Sequence, residues 1–256
     1  MIPGGATSPF LVTASDGRHW VAKGHRVGAE TKHLFNELVA GRLANLLKLA
    51  WPEVTVLELS QPCQDAVLDA GLALASVKAV GNLFVPNLRP ADWPSELSVG
   101  DPQFATKNRE YILRLIPSES DRAALYGKNL FDNWVLMKDT SKYDTLQIQQ
   151  NGQPLFLDAS HAFGGDSWKA DTPFWEDVAI DAKCPYMEGV LTDTAVHEAW
   201  LSRLGELEVD ALGQCFDSLP GDWGLDIKRV GKVRRLIAST HSSFVPLFRD
   251  WIEWEK

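Results

Sequence analysis

The chain is short of cysteine, of positive charge and of long apolar runs, and each shortage removes a class of protein. Its three cysteines, Cys63, Cys184 and Cys215, stand far apart and are odd in number. That pattern speaks against a disulfide framework or a zinc site and suits a reducing, cytoplasmic compartment. The formal net charge is −9, spread along the sequence. Such a surface opposes broad, charge-driven binding to nucleic acid. It also disfavours work on an anionic membrane face. Neither argument excludes a nucleotide ligand, because a bound divalent cation offsets phosphate charge locally. No apolar run reaches about 18 residues, so no membrane-spanning helix is expected. Met1-Ile2-Pro3-Gly4-Gly5 lacks the basic and apolar regions of a signal peptide.

What is present is an ordinary globular composition, 45% hydrophobic and 23% charged over 256 residues. That length suffices for one large domain or two small lobes sharing a cleft. Phe10–Thr13 and His19–Lys23 are short β-type runs, and Asp16-Gly17 between them signals a hairpin. A helix is expected from about Thr31 to Ala50. Its apolar residues Leu34, Phe35, Leu38, Val39, Leu43, Leu46 and Leu47 recur at three- and four-residue spacing. Trp51-Pro52 is expected to end it. Val54–Leu59 alternates like a strand, and Leu74–Lys78 reads as another. Residues 81–103 carry four prolines and read as an irregular connector. Beyond them the chain is mainly helical, except for a hairpin of Thr145–Ile148, Asn151-Gly152 and Leu155–Leu157. Ser118 is placed to cap a helix. Three or four helices are expected after Asp193. Strands first and helices later is an α+β pattern.

Phosphoryl transfer needs positioning and neutralised charge more than covalent help. The parts are a small-residue loop for phosphates, a strand lysine, a helix glutamate to hold it, oxygen ligands for Mg²⁺, and a carboxylate for the acceptor hydroxyl. The chain offers them in that order. Gly4-Gly5-Ala6-Thr7-Ser8 is the loop, Lys23 ends Trp20-Val21-Ala22-Lys23, and Glu37 lies in the following helix. Asp139 follows a helical run, Asp144 stands five residues on, and Asp158 ends the strand Leu155–Leu157. The hairpin between Asp144 and Asp158 would bring both carboxylates to its open end.

At these residues the sequence resembles the HipA-like kinases, bacterial relatives of protein kinases and phosphatidylinositol kinases. The matching pieces are Gly4–Pro9, Lys23, Asn36-Glu37-Leu38, Asp139 to Asp144, Leu157-Asp158-Ala159-Ser160-His161-Ala162-Phe163 and Leu219-Pro220-Gly221-Asp222-Trp223. The resemblance implies a single protein-kinase-like α+β domain over 1–256. Its small β-rich N-lobe would be 1–80, with a connector and larger helical C-lobe in 81–256. It implies ATP and Mg²⁺ as cofactors. Gly5, Ala6, Thr7, Ser8, Lys23 and Glu37 would bind the nucleotide, Asp144 and Asp158 the metal, and Asp139 would be catalytic. The strand Leu74–Lys78 would form the hinge against adenine. The acceptor implied is Ser or Thr of a protein.

Three departures keep alternatives open. Asp144 stands where the family has Asn, and Thr140 where Arg commonly follows the catalytic Asp. Only three residues precede Gly4, so either the phosphate loop would be poorly anchored or a partner chain, an antitoxin among the candidates, would complete it. A pseudokinase that binds nucleotide or partner without turnover is the rival from another class. A lipid or small-molecule kinase is the rival enzyme. Thr7 or Ser8 is also a candidate for phosphorylation that shuts the loop, since added phosphate charge there would repel ATP.

Overall fold

The computed structural model describes residues 8–91, 101–138, 145–165 and 185–254. Strands β1 (Phe10–Thr13) and β2 (His19–Arg26) pair antiparallel around Asp16-Gly17. Gly17 takes φ 80°, which a side-chain-bearing residue adopts only at a cost. Strands β3 (Val54–Glu58) and β4 (Leu74–Leu83) complete a four-stranded sheet of order β1-β2-β4-β3. Strand alternation assigns the two faces. Lys23 lies opposite Val80 and Val21 opposite Asn82, so these four share one face. Ala22 and Ala79 point the other way, into a small core with Phe10, Leu59 and Val67.

Each face is covered by one helix. Helix α2 (Gln61–Asp69) closes the second face. It was not expected from the sequence, because it is short and buries only Val67. Helix α1 (Lys32–Leu46) covers the first face and is buried nearly all round. Its Leu34 and Leu38 pack on Val80 and Trp223, while Phe35, Val39 and Leu43 join the large helical core. A helix wedged between two cores carries apolar residues on both sides. It ends earlier than Trp51-Pro52 would have required. Lys48 takes φ 57° and Leu49 N–H donates to Ala44 O at 2.9 Å, a Schellman closure built on a non-glycine residue.

Strand β4 extends past Lys78 to Leu83, so the connector expected from residue 81 begins inside a strand. The connector adds β5 (Arg89–Pro90) to the hairpin of β6 (Leu146–Ile148) and β7 (Pro154–Phe156). Helices α3 (Phe104–Leu115), α4 (Glu119–Trp134), α5 (Thr194–Gly205), α6 (Val209–Gln214) and α7 (Ile227–Trp254) build the helical part. Ser118 Oγ accepts from Asp121 N–H at 3.3 Å and so caps α4 as its sequence suggested. Leu130, Trp134, Leu201, Leu204, Phe244 and Phe248 lie in the helical core. No helix among the described residues is long and apolar enough to cross a membrane.

The segment Leu219–Trp223 returns to the β-rich part. Trp223 Nε1 donates to Lys78 O at 3.2 Å, and Ser76 Oγ donates to Asp222 at 2.6 Å. Chain near the C-terminus therefore props α1 and β4 from behind.

Candidate active site

Three of the expected residues meet at the floor of one cleft. Lys23 leaves β2 on the α1 face, and its Nζ donates to Glu37 Oε2 at 3.1 Å and to Asp158 Oδ1 at 3.2 Å. Glu37 is buried on α1. Its Oε2 also accepts from the Ala159 N–H at 3.0 Å, and its Oε1 accepts from Asn82 Nδ2 at 2.9 Å. Asn36, one residue earlier, donates to Ser160 O and Ala162 O at 2.9 and 2.8 Å. Helix α1 thus fixes both the lysine on the sheet and the chain that carries Asp158.

Asp158 follows β7 and takes φ 64°, a left-handed conformation that Asp tolerates better than most residues. Its Oδ1 accepts from Lys23 and from Ser160 N–H and Oγ at 3.1 and 2.6 Å. Its Oδ2 has no hydrogen-bond partner among the described residues, and the side chain is 49% exposed. The cleft beside it has a volume of about 480 Å³. Pro9, Val21 and Leu83 line it with Phe84 and Leu88, and Leu155 and Leu157 face them from the hairpin side. Apolar walls with charge at one end suit a flat base carrying an anionic tail.

The electrostatics favour an ionised triad. Burial works against the Lys23 ammonium, but Glu37 and then Asp158 more than restore it, so it stays charged above the ordinary lysine range. Burial would also push Asp158 up. The Lys23 ammonium and the Ser160 donors outweigh it and hold the carboxyl well below the usual carboxylate range. Burial pushes Glu37 up and Lys23 pulls it back. The net shift of Glu37 is upward, and the Lys23 ammonium, the Ala159 N–H and the Asn82 amide are all placed to donate to it.

A pH dependence follows from these directions. The Asp158 contribution to stability is present above its unfolded value of 3.8 and lost as pH falls below it. The Lys23 contribution is full below 10.5 and lost only as pH rises beyond it. The gap in urea midpoint between wild type and Asp158→Asn is therefore expected to stay constant from about pH 5 to pH 9 and to narrow below about pH 4. A gap that changes near neutral pH would contradict the ionised triad.

Of the remaining expected residues, Gly5, Ala6, Thr7, Asp139 and Asp144 lie outside the described residues. Ser8 takes φ 46° and accepts from Arg26 Nη1 at 3.5 Å, while its neighbour Pro9 lines the cleft. Both flanks of 139–144 are tied to the Asp158 segment. Lys138 N–H donates to His161 O at 3.0 Å, and Leu157 N–H to Thr145 O at 2.9 Å. The hinge is corrected. Leu74–Lys78 lies at the far end of β4, opposite Arg26 and Glu58, whereas Asn82–Leu88 carries the cleft-lining chain. The strand is longer than its apolar run, which displaced the expectation. Asn82 and Ser160 were not singled out from the sequence. An asparagine at the edge of a proline-rich stretch and a serine among small residues carry no local signal.

The sequence profile of the family described as HipA-like kinase matches residues 2–243. The chain belongs to the HipA-like kinase family. Among solved structures it is similar to the Helicobacter pylori proinflammatory kinase CtkA, with a TM-score of 0.59 and 11% identity, covering 99% of this chain and 94% of that one. It is also aligned with the open conformation of CtTel1, with a TM-score of 0.39 and 14% identity over 98% of this chain but only 11% of that one. None of the curated proteins compared matches the chain. The family match makes the chain a kinase, and the likeness to CtkA shows the protein-kinase-like α+β fold. This HipA-like kinase has a small antiparallel sheet towards its N-terminus and a larger helical part beyond it.

Proposed function

We propose that this kinase transfers the γ-phosphoryl group of ATP, with Mg²⁺, to a hydroxyl on Ser or Thr of a protein. The observation that carries the reading is the buried Lys23–Glu37 pair linked to Asp158 at the charged end of an apolar cleft. Lys23 spends two of its three ammonium protons on carboxylates, which leaves one for a phosphate oxygen. Glu37 and Asn82 keep that ammonium in place. Along the cleft edge, Val85 N–H and C=O make no hydrogen bond to the described residues, which suits the polar edge of adenine.

Asp158 fits a magnesium ligand. Its partnerless Oδ2 is a hard oxygen donor, and its Oδ1 is held by three donors that fix its direction. Among the described residues no three His, Cys, Asp or Glu side chains cluster as a complete metal site. Asp144 is assigned as the second ligand from its position in the sequence. Bound Mg²⁺ would neutralise charge on the phosphates as it develops. Asp139 orients the acceptor hydroxyl and takes its proton, and Lys23 holds the phosphates.

The pseudokinase reading is favoured by Asp144 and Thr140, the two departures from the family pattern. A transfer assay with γ-labelled ATP separates the two, with ATP binding measured with and without Mg²⁺. Label on a protein acceptor supports the kinase reading, and ATP binding with no transfer supports the module. In the same assay Asp144→Asn is expected to retain or raise turnover. It restores the amide at that position and removes one negative charge facing the phosphates. A large loss at saturating Mg²⁺ in a folded variant would contradict that expectation.

A further inference from the structure

Asn82 is a buried amide on the central strand of the sheet, only 8% exposed. An apolar residue would pack there without the cost of desolvating two polar atoms. One half of the amide has a clear duty. Glu37 can only accept, so the group turned to it at 2.9 Å must be the Nδ2 donor. That contact fixes the orientation of the amide and points Oδ1 away from Glu37. Oδ1 has no hydrogen-bond partner among the described residues, yet it is not a sealed buried atom. Asn82 lines the cleft. Leu83 and Phe84 follow it, and then comes Val85 with its unpaired N–H and C=O. An acceptor on the cleft wall, beside a strand exit with free backbone groups, faces the place where a base edge would lie.

Resting on the nucleotide-cleft reading above, we propose that Asn82 reads the base. Its Oδ1 accepts a hydrogen bond from the 6-amino group of adenine while its Nδ2 holds Glu37. The 6-amino group has two protons, so one serves a backbone carbonyl and the other serves Asn82. A 6-oxo purine presents an acceptor to Oδ1 and is disfavoured. The same side chain then links base recognition to the Lys23–Glu37 pair, and the correct base steadies the amide that positions Glu37.

The test compares ATP with purine riboside triphosphate, which lacks only the 6-amino group. Both are titrated calorimetrically into the full chain as wild type, Asn82→Leu and Asn82→Ala. Wild type is expected to prefer ATP by roughly ten- to a hundredfold, the value of two net hydrogen bonds. In either variant the ratio is expected to fall by roughly three- to tenfold, to the share owed to the backbone carbonyl, even where both ligands bind more weakly through the loss at Glu37. A merely structural role for Asn82 would weaken both ligands and leave their ratio unchanged. Asn82→Ala adds no bulk and serves if the leucine variant does not fold. Equal affinity of wild type for the two ligands, or a ratio that stays at the wild-type value in both variants, overturns the inference alone. Absence of any nucleotide binding to folded wild type overturns the cleft reading with it.

Discussion

Asp158→Ala is expected to lose Mg²⁺-dependent ATP binding and to lower phosphoryl transfer by about 10³-fold. The carboxylate is the described oxygen donor that faces the cleft with a free Oδ2, and it balances Lys23 from the side opposite Glu37. Its loss removes a metal ligand in the ground state, so binding itself suffers. The fold is expected to survive. The side chain is half exposed, and the main cost to the backbone is an alanine at φ 64°, about 1 kcal/mol. Asp139→Ala gives the contrast. A group that orients the acceptor acts during transfer, so nucleotide affinity is expected to stay near wild type while transfer is abolished. Calorimetric titration with Mg²⁺-ATP beside the transfer assay decides both. Unchanged Mg²⁺-ATP affinity in Asp158→Ala would remove the metal-ligand role.

Asp132→Ala is expected to destabilise the protein by about 3–5 kcal/mol, the largest stability effect of any single change considered. Lys128 and Asp132 face each other one turn apart on α4, with Nζ 2.6 and 2.5 Å from the two carboxylate oxygens. Both side chains are essentially inaccessible, and the ammonium lies 5.9 and 5.7 Å from the Trp51 and Phe156 ring centres. Removing the carboxylate takes an ion pair with two short contacts away from a buried ammonium, and water cannot replace it without opening the core. The urea midpoint and the thermal midpoint report the loss, the latter falling by about 10 °C for a chain of this size. A loss below about 1 kcal/mol would show that the aromatic rings and the remaining neighbours satisfy Lys128 unaided.

The site and the fold differ in how far they could be read from the sequence. Lys23, Glu37 and Asp158 were legible because their chemistry comes in a fixed order along the chain, and 135 residues of separation between Lys23 and Asp158 do not disturb an order. Asn82 was not legible. Its significance is the one contact it makes with Glu37, 45 residues away, and the neighbouring prolines read as loop. The Lys128–Asp132 pair looks like any solvated helix pair at that spacing, because burial on all sides is a property of the packed core.

The sequence alone determined what depends on near neighbours. The Asp16-Gly17 and Asn151-Gly152 turns, the strand alternation, the apolar spacing of α1 and the Ser118 cap are all fixed within a few residues, where backbone sterics and local hydrogen bonds decide. Tertiary structure decided the rest. It carried β4 on to Leu83 and formed α2 for the sake of Val67 against the sheet. It also brought Trp223 back behind α1 and set Glu37 between a lysine, an asparagine and the Ala159 amide. Each of these is settled by burial against a partner distant in sequence, and that energy exists only once the partner has arrived.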